Sequence, residues 1–292
     1  MNGLELVLDH LALVVPDLDR ANEIYQRMGF NLSPRSSHKG KLVEGGPVEL
    51  WGAGNHCAMF EQGYFEILGI TDVNLHNDHV QVLLDSYTGL HLIALGCQNA
   101  NEAATILTKR LGSKFSPYEV GRDVPCANGE TLPGKFNILH LPEGIFDEAD
   151  LFCIEHLTPD ALWQTGVIDQ PNGVIGLVDV LICSNDLKKT NASLSHILEK
   201  DFETDNSIAS FQLTRGQIRV TDPAGLIDQY PGITAPVLPW VAAMHFAVKD
   251  VDQTRRYLNS QGFTINNRGS NQIWIEPSQC EGAIVVFSSR AD

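Results

Sequence analysis

Three side chains in this sequence interrupt runs that should be apolar strands, and each can hold a proton or a cation. They are His10 in Asp9-His-Leu-Ala-Leu-Val-Val15, Glu66 in Tyr64-Phe-Glu-Ile-Leu68, and His156 at the end of Leu151-Phe-Cys-Ile-Glu-His156. Side chains alternate along a strand, so His10, Ala12 and Val14 share one face and Leu11, Leu13 and Val15 the other. Glu66 shares its face with Tyr64 and Leu68. An ionised carboxylate among such neighbours is costly unless a cation, hydrogen-bond donors or a metal meets it. Imidazole and carboxylate groups from separate strands, turned into one concavity, suit a six-coordinate divalent ion with open positions. Two His and one Glu would leave room for two vicinal substrate oxygens. Each residue also has a plainer reading: His10 as a core histidine, Glu66 bonded to Tyr64 or backbone, His156 as a turn histidine before Thr158-Pro159. One step of register would exchange Glu155 for His156.

Two further stretches carry polar groups. Asn55 and His56 are adjacent, so only one of them faces inward. Arg122 lies in a Gly- and Pro-containing stretch read as a loop and is the only Arg or Lys between Lys114 and Lys135. It is either an anchor for an anionic substrate or a solvated loop arginine.

The elements that must position these groups come from a repeat. The strand ending at Val15 leads into Asp17, a good N-cap, then a helix with Leu18, Ala21, Ile24, Tyr25 and Met28 on one side and a stop at Gly29. The phrase returns as Ala243–Val248, Asp250 and Gly262, with the same twelve-residue interval from Asp to Gly. Further copies are Gly89–Cys97 with Asn99 and Gly112, and Ile175–Cys183 with Asp186 and a helix over 187–200. Short strand-like runs with turn residues follow each helix. The expected fold is α+β: four tandem βαβββ modules, starting near residues 7, 89, 175 and 240, pairing into two curved half-barrel sheets with helices outside. The Gly-, Pro- and Asn-containing segment 163–173 is the expected linker, giving domains 1–162 and 174–292, each with its own core.

Composition removes several classes. The chain has 292 residues, 43% hydrophobic and 19% charged, as in folded globular proteins. No run of roughly 18 apolar residues is present, so no membrane-spanning helix is expected. Net charge −16, without a basic stripe, opposes nucleic acid and anionic membrane surfaces. The six cysteines occur singly and read as reduced thiols, and with no secretory leader at the start a cytoplasmic location is expected. There is no phosphate loop, GxGxxG, CxxC or GxSxG, leaving kinase, dehydrogenase, disulfide oxidoreductase and esterase readings without support.

His10-Leu-Ala-Leu-Val-Val-Pro-Asp17 resembles the opening strand of vicinal-oxygen-chelate modules, as in glyoxalase I and extradiol dioxygenases. Asp9-His10-Leu11, His38, Gly52-Ala-Gly-Asn55, Tyr64–Leu68 and Phe152–Trp163 resemble glyoxalase-like domain proteins more narrowly. The resemblance covers essentially the whole chain. It implies paired modules whose concave face holds a divalent metal or a ligand. Carried over residue by residue, it makes His10 the first-strand metal ligand and Glu66 the last-strand carboxylate, with His156 or Glu155 from the second module and Leu92 in place of that module's first-strand ligand. In the C-terminal pair the first-strand positions read Asp179 and Ala243, with His245 on the same face as Ala243, which implies a scaffold without a metal. His38 and Asn55 match polar positions beside the cavity that would orient a substrate, with His56 and Arg122 as further contacts. Two functions follow. One is a metal-dependent lyase, isomerase or dioxygenase acting on a small oxygenated metabolite, the ion held by His10, Glu66 and His156 and protons moved by Glu66, Glu155 or His56. The other is a metal-free protein that sequesters a small ligand. Half-barrels close within one chain or between two, so a homodimer is one of two expected assemblies.

Overall fold

Alternation decides the first strand. β1 (Val7–Val15) turns Leu11, Leu13 and Val15 into a core beneath the helices and leaves Val14 on the opposite face. Asp17 then accepts a hydrogen bond from the backbone N–H of Arg20, and α1 (Leu18–Arg27) starts there and buries Leu18, Ala21 and Tyr25. β2 (Ser36–Gly40), β3 (Glu49–Met59) and β4 (Tyr64–Ile70) complete the first stretch, and α2 (Asp78–Leu84) follows. The second stretch is β5 (Gly89–Gly96), α3 (Ala100–Leu111), β6 (Tyr118–Pro125), β7 (Thr131–His140) and β8 (Asp150–His156), then the short α4 (Pro159–Leu162). The third is β9 (Val174–Cys183), α5 (Leu187–Leu198), β10 (Glu203–Asp205), β11 (Ile208–Gln212), β12 (Gln217–Thr221) and α6 (Pro223–Gln229). The last is β13 (Trp240–Val248), α7 (Val251–Ser260), β14 (Asn266–Arg268), β15 (Gln272–Ile275) and β16 (Ile284–Ser289). The computed structural model describes residues 4–43, 45–126, 130–164 and 166–289.

The chain is thus mixed α+β, with one large sheet. Within each stretch the first strand lies parallel to the last: β1 to β4, β5 to β8, β9 to β12 and β13 to β16. The middle strands continue outward in antiparallel fashion. First strands meet in pairs, β1 antiparallel to β5 and β9 antiparallel to β13, and bridges from Val241 to Leu90, Val7 to Arg215 and Gln62 to Gly176 join the two halves.

The expected division near 163–173 does not separate two cores. One buried cluster runs from Leu6, Leu11 and Phe65 to Phe246 and Phe287. The Phe30 ring lies 5.2 Å from Phe246 and 6.4 Å from Phe287, and Phe60 lies 5.4 Å from Phe246. Each such ring contributes roughly 1.5–3 kcal/mol on burial, so the halves stabilise one another. The segment between them is pinned as well. Gln170 accepts from the Asn31 N–H and donates to the Met59 carbonyl, and Asn172 donates to the Met28 carbonyl. The polar residues of this segment thus satisfy buried backbone instead of solvent.

The opposite face of the N-terminal sheet forms a hollow. α2 closes one end, packing Val80 and Leu84 against Val14, Ala53 and Leu68. Leu162 of α4 closes the other, against Tyr64, Phe136 and Phe152. In the C-terminal half the matching space is filled by Leu226 of α6, Tyr230, Trp240 and Trp274. No helix among the described residues is long and apolar enough to cross a membrane.

Candidate functional site

The N-terminal hollow collects its polar groups around a defect in β1. Leu8 pairs with Leu95 and His10 with Ala94, so Asp9 is an extra residue in the ladder. The bulge lets both Asp9 and His10 approach the hollow. Gly63, at φ +72°, forms the turn beside it, where a Cβ would stand 2.5 Å from the Asp9 carbonyl oxygen. Asp9 Oδ1 accepts from His10 Nδ1 at 2.8 Å, and His156 Nε2 reaches the same carboxylate at 3.1 and 3.2 Å. Burial pushes the Asp9 carboxyl up, but its hydrogen bonds with His10 and His156 outweigh burial and hold it well below the usual carboxylate range. An ionised carboxylate only accepts, so the hydrogen on His10 Nδ1 is the donor and Nε2 points onward.

Nε2 of His10 lies 3.3 Å from the Tyr64 hydroxyl and 3.8 Å from Glu66 Oε2. Tyr64 also stacks on the imidazole, with centroids 4.1 Å apart. Burial and the Asp9 and Glu66 charges push the Tyr64 hydroxyl well above its ordinary value, so it stays protonated. The other Glu66 oxygen accepts from Asn55 Nδ2, while Asn55 Oδ1 is buried with no partner among the described residues. The result is a line of groups, Asp9, His10 and Glu66, along which a proton can be held or moved.

Beyond Glu66, β6 brings Arg122 over the hollow. Its Nη2 donates to Cys57 Sγ at 3.5 Å, and Cys57 is the cross-strand partner of Glu66. A cavity of about 290 Å³ opens here, walled by Arg122, Cys57, Met59, Val124, Leu162 and Val167. His10 and Glu66 are not in that wall; they adjoin it through Cys57. His38 Nδ1 and His79 Nε2 are 3.1 Å apart, sharing a hydrogen bond beside Trp51. Burial lowers both imidazoles; nearby His38 and His76 help to bring His79 to about 4.

The structure therefore sorts the sequence candidates. His10, Glu66, Asn55 and Arg122 converge, and Arg122 stands on a strand where a loop was expected. His38 pairs with His79 instead of with a substrate position on the wall. His156 faces inward but is turned to Asp9, which lies between it and His10. Glu155 faces the other way: its carboxylate accepts from the Ala100 N–H, at the start of α3, and from Asn137, so it has no access to the hollow. His56 also turns away from the hollow, buried on the other face of β3 and bonded to the Ser33 carbonyl. The alternation of Asn55 and His56 and of Glu155 and His156 required one member of each pair to turn away. Cys57 and His79 were not singled out; Asp9 entered only as part of the Asp9-His10-Leu11 motif and Tyr64 only as a neighbour of Glu66, and neither was given a role, since on a regular strand Asp9 would face away from His10.

A model of the glyoxalase-like domain family matches residues 8–198, most of the chain. The chain belongs to the glyoxalase-like domain family. Solved structures extend the likeness of fold across the whole length. A hypothetical protein from Staphylococcus aureus superposes with TM-score 0.65 at 13% identity, covering 98% of this chain and all of that one. A mutant of 4-hydroxymandelate synthase from Streptomyces coelicolor gives TM-score 0.56 at 12% identity, over 99% and 95% of the two chains. A xylose isomerase-like TIM barrel/4-hydroxyphenylpyruvate dioxygenase fusion protein gives 0.59 at 11%, over 100% of this chain and 50% of that one. No curated protein matches.

A divalent ion, as that resemblance implies, would need at least three donors. Registers identify what each stretch of the glyoxalase-like chain offers. His10 stands seven residues before its helix cap, and Glu66 lies beside Ala12, five before it. The equivalents are Leu92 and Phe152, Asp179 and Arg219, and Ala243 and Val286. Only His10 and Glu66 form a donor pair, the second stretch contributes hydrocarbon, and His156 is occupied by Asp9. Among the described residues no group of three His, Cys, Asp or Glu is placed to hold an ion. The expected set of His10, Glu66 and His156 does not fit a metal centre.

In the third stretch the pair has become a buried salt bridge. Arg219 Nε lies 2.5 Å from Asp179 Oδ2, and His245 Nδ1 lies 3.4 Å from the same oxygen while its Nε2 meets Ser288 Oγ at 2.7 Å. Burial alone would raise the Asp179 carboxyl, but Arg219 and His245 hold it low.

Proposed function

We propose that four copies of one βαβββ module pair into two half-barrels and that the N-terminal one binds a small oxygenated metabolite and moves a proton on it, as an isomerase or lyase does. The observation that carries this reading is the placement of Glu66 Oε2 3.8 Å from His10 Nε2, with His10 fixed from behind by Asp9. Glu66 is the more exposed of the two and adjoins the cavity, so it takes the proton from a carbon next to a carbonyl. Asn55 holds its other oxygen. His10 is a positioning residue: Asp9 keeps its Nδ1 protonated, so Nε2 faces Glu66 and answers the change of charge there. Tyr64, protonated and buried, keeps Nε2 from turning away. Leu162, Val124 and Met59 exclude water, which strengthens each of these interactions.

The test is proton exchange. The protein is incubated in D2O with 2-oxo acids, 2-hydroxy ketones and 1,3-dicarbonyl compounds, and protons next to each carbonyl are followed by NMR. At least one class should lose its signal in a protein-dependent way, about 10²–10⁴-fold more slowly with Glu66→Gln. Tight binding without exchange would instead support a sequestering protein and overturn the proton-transfer reading.

A further inference from the structure

We infer that the ligand of the N-terminal hollow is a small monoanion, a carboxylic acid with a compact apolar body whose carboxylate is held by Arg122. The inference rests on the hollow being a small-molecule site, but not on the proton transfer proposed for Glu66.

Arg122 is a cation without a counter-ion in contact. Among the described residues no carboxylate lies within ion-pair distance of its guanidinium, which donates to a thiol at 3.5 Å. That thiol does not supply the charge. Burial pushes Cys57 up to about 11, against the opposing pull of Arg122, so it remains neutral. Asp123, next along the strand, turns outward to Lys39 at 3.2 Å. Glu66 is close enough to favour the charged guanidinium but is engaged by Asn55 and faced by His10. A guanidinium carries five N–H donors in a planar fork, and at this half-buried position the described residues leave most of them free for an entering anion. A carboxylate entering the cavity meets two of them at once.

The rest of the wall describes the remainder of the ligand. Met59, Val124, Leu162 and Val167 present hydrocarbon on one part of it, and Asn31, Ser33 and Gln164 add polar groups at another. At about 290 Å³ the space is at the small end of ligand pockets. It admits on the order of ten non-hydrogen atoms if each takes the ~30 Å³ of a liquid water molecule. The ligand should carry one negative charge and not two, because Glu66, which adjoins the cavity behind Cys57, repels a second and no Arg or Lys besides Arg122 lines it among the described residues. A carboxylate seated on Arg122 projects its neighbouring atoms past Cys57 toward Glu66.

The experiment compares hexanoate, hexanamide and hexyl phosphate by calorimetry on the full-length protein. Hexanoate should bind about tenfold or more tightly than either analogue, a ratio set by a charge-assisted fork that the amide lacks. Arg122→Met should abolish the preference, and Arg122→Lys should keep part of it. A wild-type protein that does not favour the acid, or an Arg122→Met protein that still does, overturns the inference; the wild-type comparison decides even if Arg122→Met fails to fold. Equal binding of hexyl phosphate overturns the single charge. Glu66→Gln separates the two readings: it should retain or tighten hexanoate binding while losing exchange in D2O. Exchange that depends on Glu66 without any preference for hexanoate would leave the proton-transfer reading standing and remove this one.

Discussion

Asp9 and His10 are neighbours in sequence, yet Asp9 Oδ1 accepts a 2.8 Å hydrogen bond from His10 Nδ1 inside one hollow. On a regular strand they would face opposite sides. The bulge at Asp9 removes that constraint, and His156 from the far side of the sheet completes a carboxylate held between two imidazoles. The orientation of His10 toward Glu66 follows from this arrangement.

Asp9→Asn should lower stability by about 1.5–3 kcal/mol in urea unfolding at pH 7, the range for hydrogen bonds to a charged group. The folded carboxyl is depressed below its ordinary 3.8, so its contribution is complete above that value and fades as pH falls below it. The wild-type and Asp9→Asn curves should therefore converge below about pH 4. Curves that stay parallel through the acid limb would show that Asp9 is not ionised in the folded state.

A separate decline should occur at milder acidity. His79, lowered from 6.5 to about 4, favours its neutral form in the folded chain, so its contribution is complete above 6.5 and is lost between 6.5 and about 4. Urea midpoints of His79→Gln should be flatter over that window than those of the unaltered chain. An unchanged slope counts against the His38–His79 pair as a neutral hydrogen bond.

Glu155→Ala tests the assignment of that residue away from the hollow. Its carboxylate serves the first turn of α3, so the change should cost about 0.5–2 kcal/mol of stability and leave exchange in D2O untouched. Loss of exchange at full stability would restore Glu155 as a proton carrier.

Arg219→Met should be destabilising by about 3–5 kcal/mol, since it strands the buried Asp179 charge. Adding Asp179→Leu to it should recover most of that loss in thermal unfolding, because two apolar side chains replace a desolvated pair. A double variant no better than the single one would mean that the loss does not come from a stranded Asp179 charge.

The fold was legible where period and punctuation agree. Asp17, Asn99, Asp186 and Asp250 all cap helices by accepting backbone N–H bonds, as their spacing indicates. Short strands escaped because β2, β10 and β14 are polar or only three to five residues long and are held by edge pairing. The site was half legible. Glu66 and His10 betray themselves as polar groups on apolar strands, but the Asp9 bulge depends on register with β5, which no local pattern encodes. For Glu155 and His156 the alternation was correct, and only the pairing of β8 with β7 fixes which one faces inward.

The most direct test of the account is the tautomer of His10, read by NMR on the 15N-histidine-labelled protein with His10→Gln used for assignment. In its neutral form His10 should carry its hydrogen on Nδ1, coupled to Asp9, with Nε2 bare and its resonance moving when Glu66→Gln is introduced. A hydrogen on Nε2 with a bare Nδ1, or an Nε2 resonance indifferent to Glu66→Gln, would contradict the line from Asp9 through His10 to Glu66.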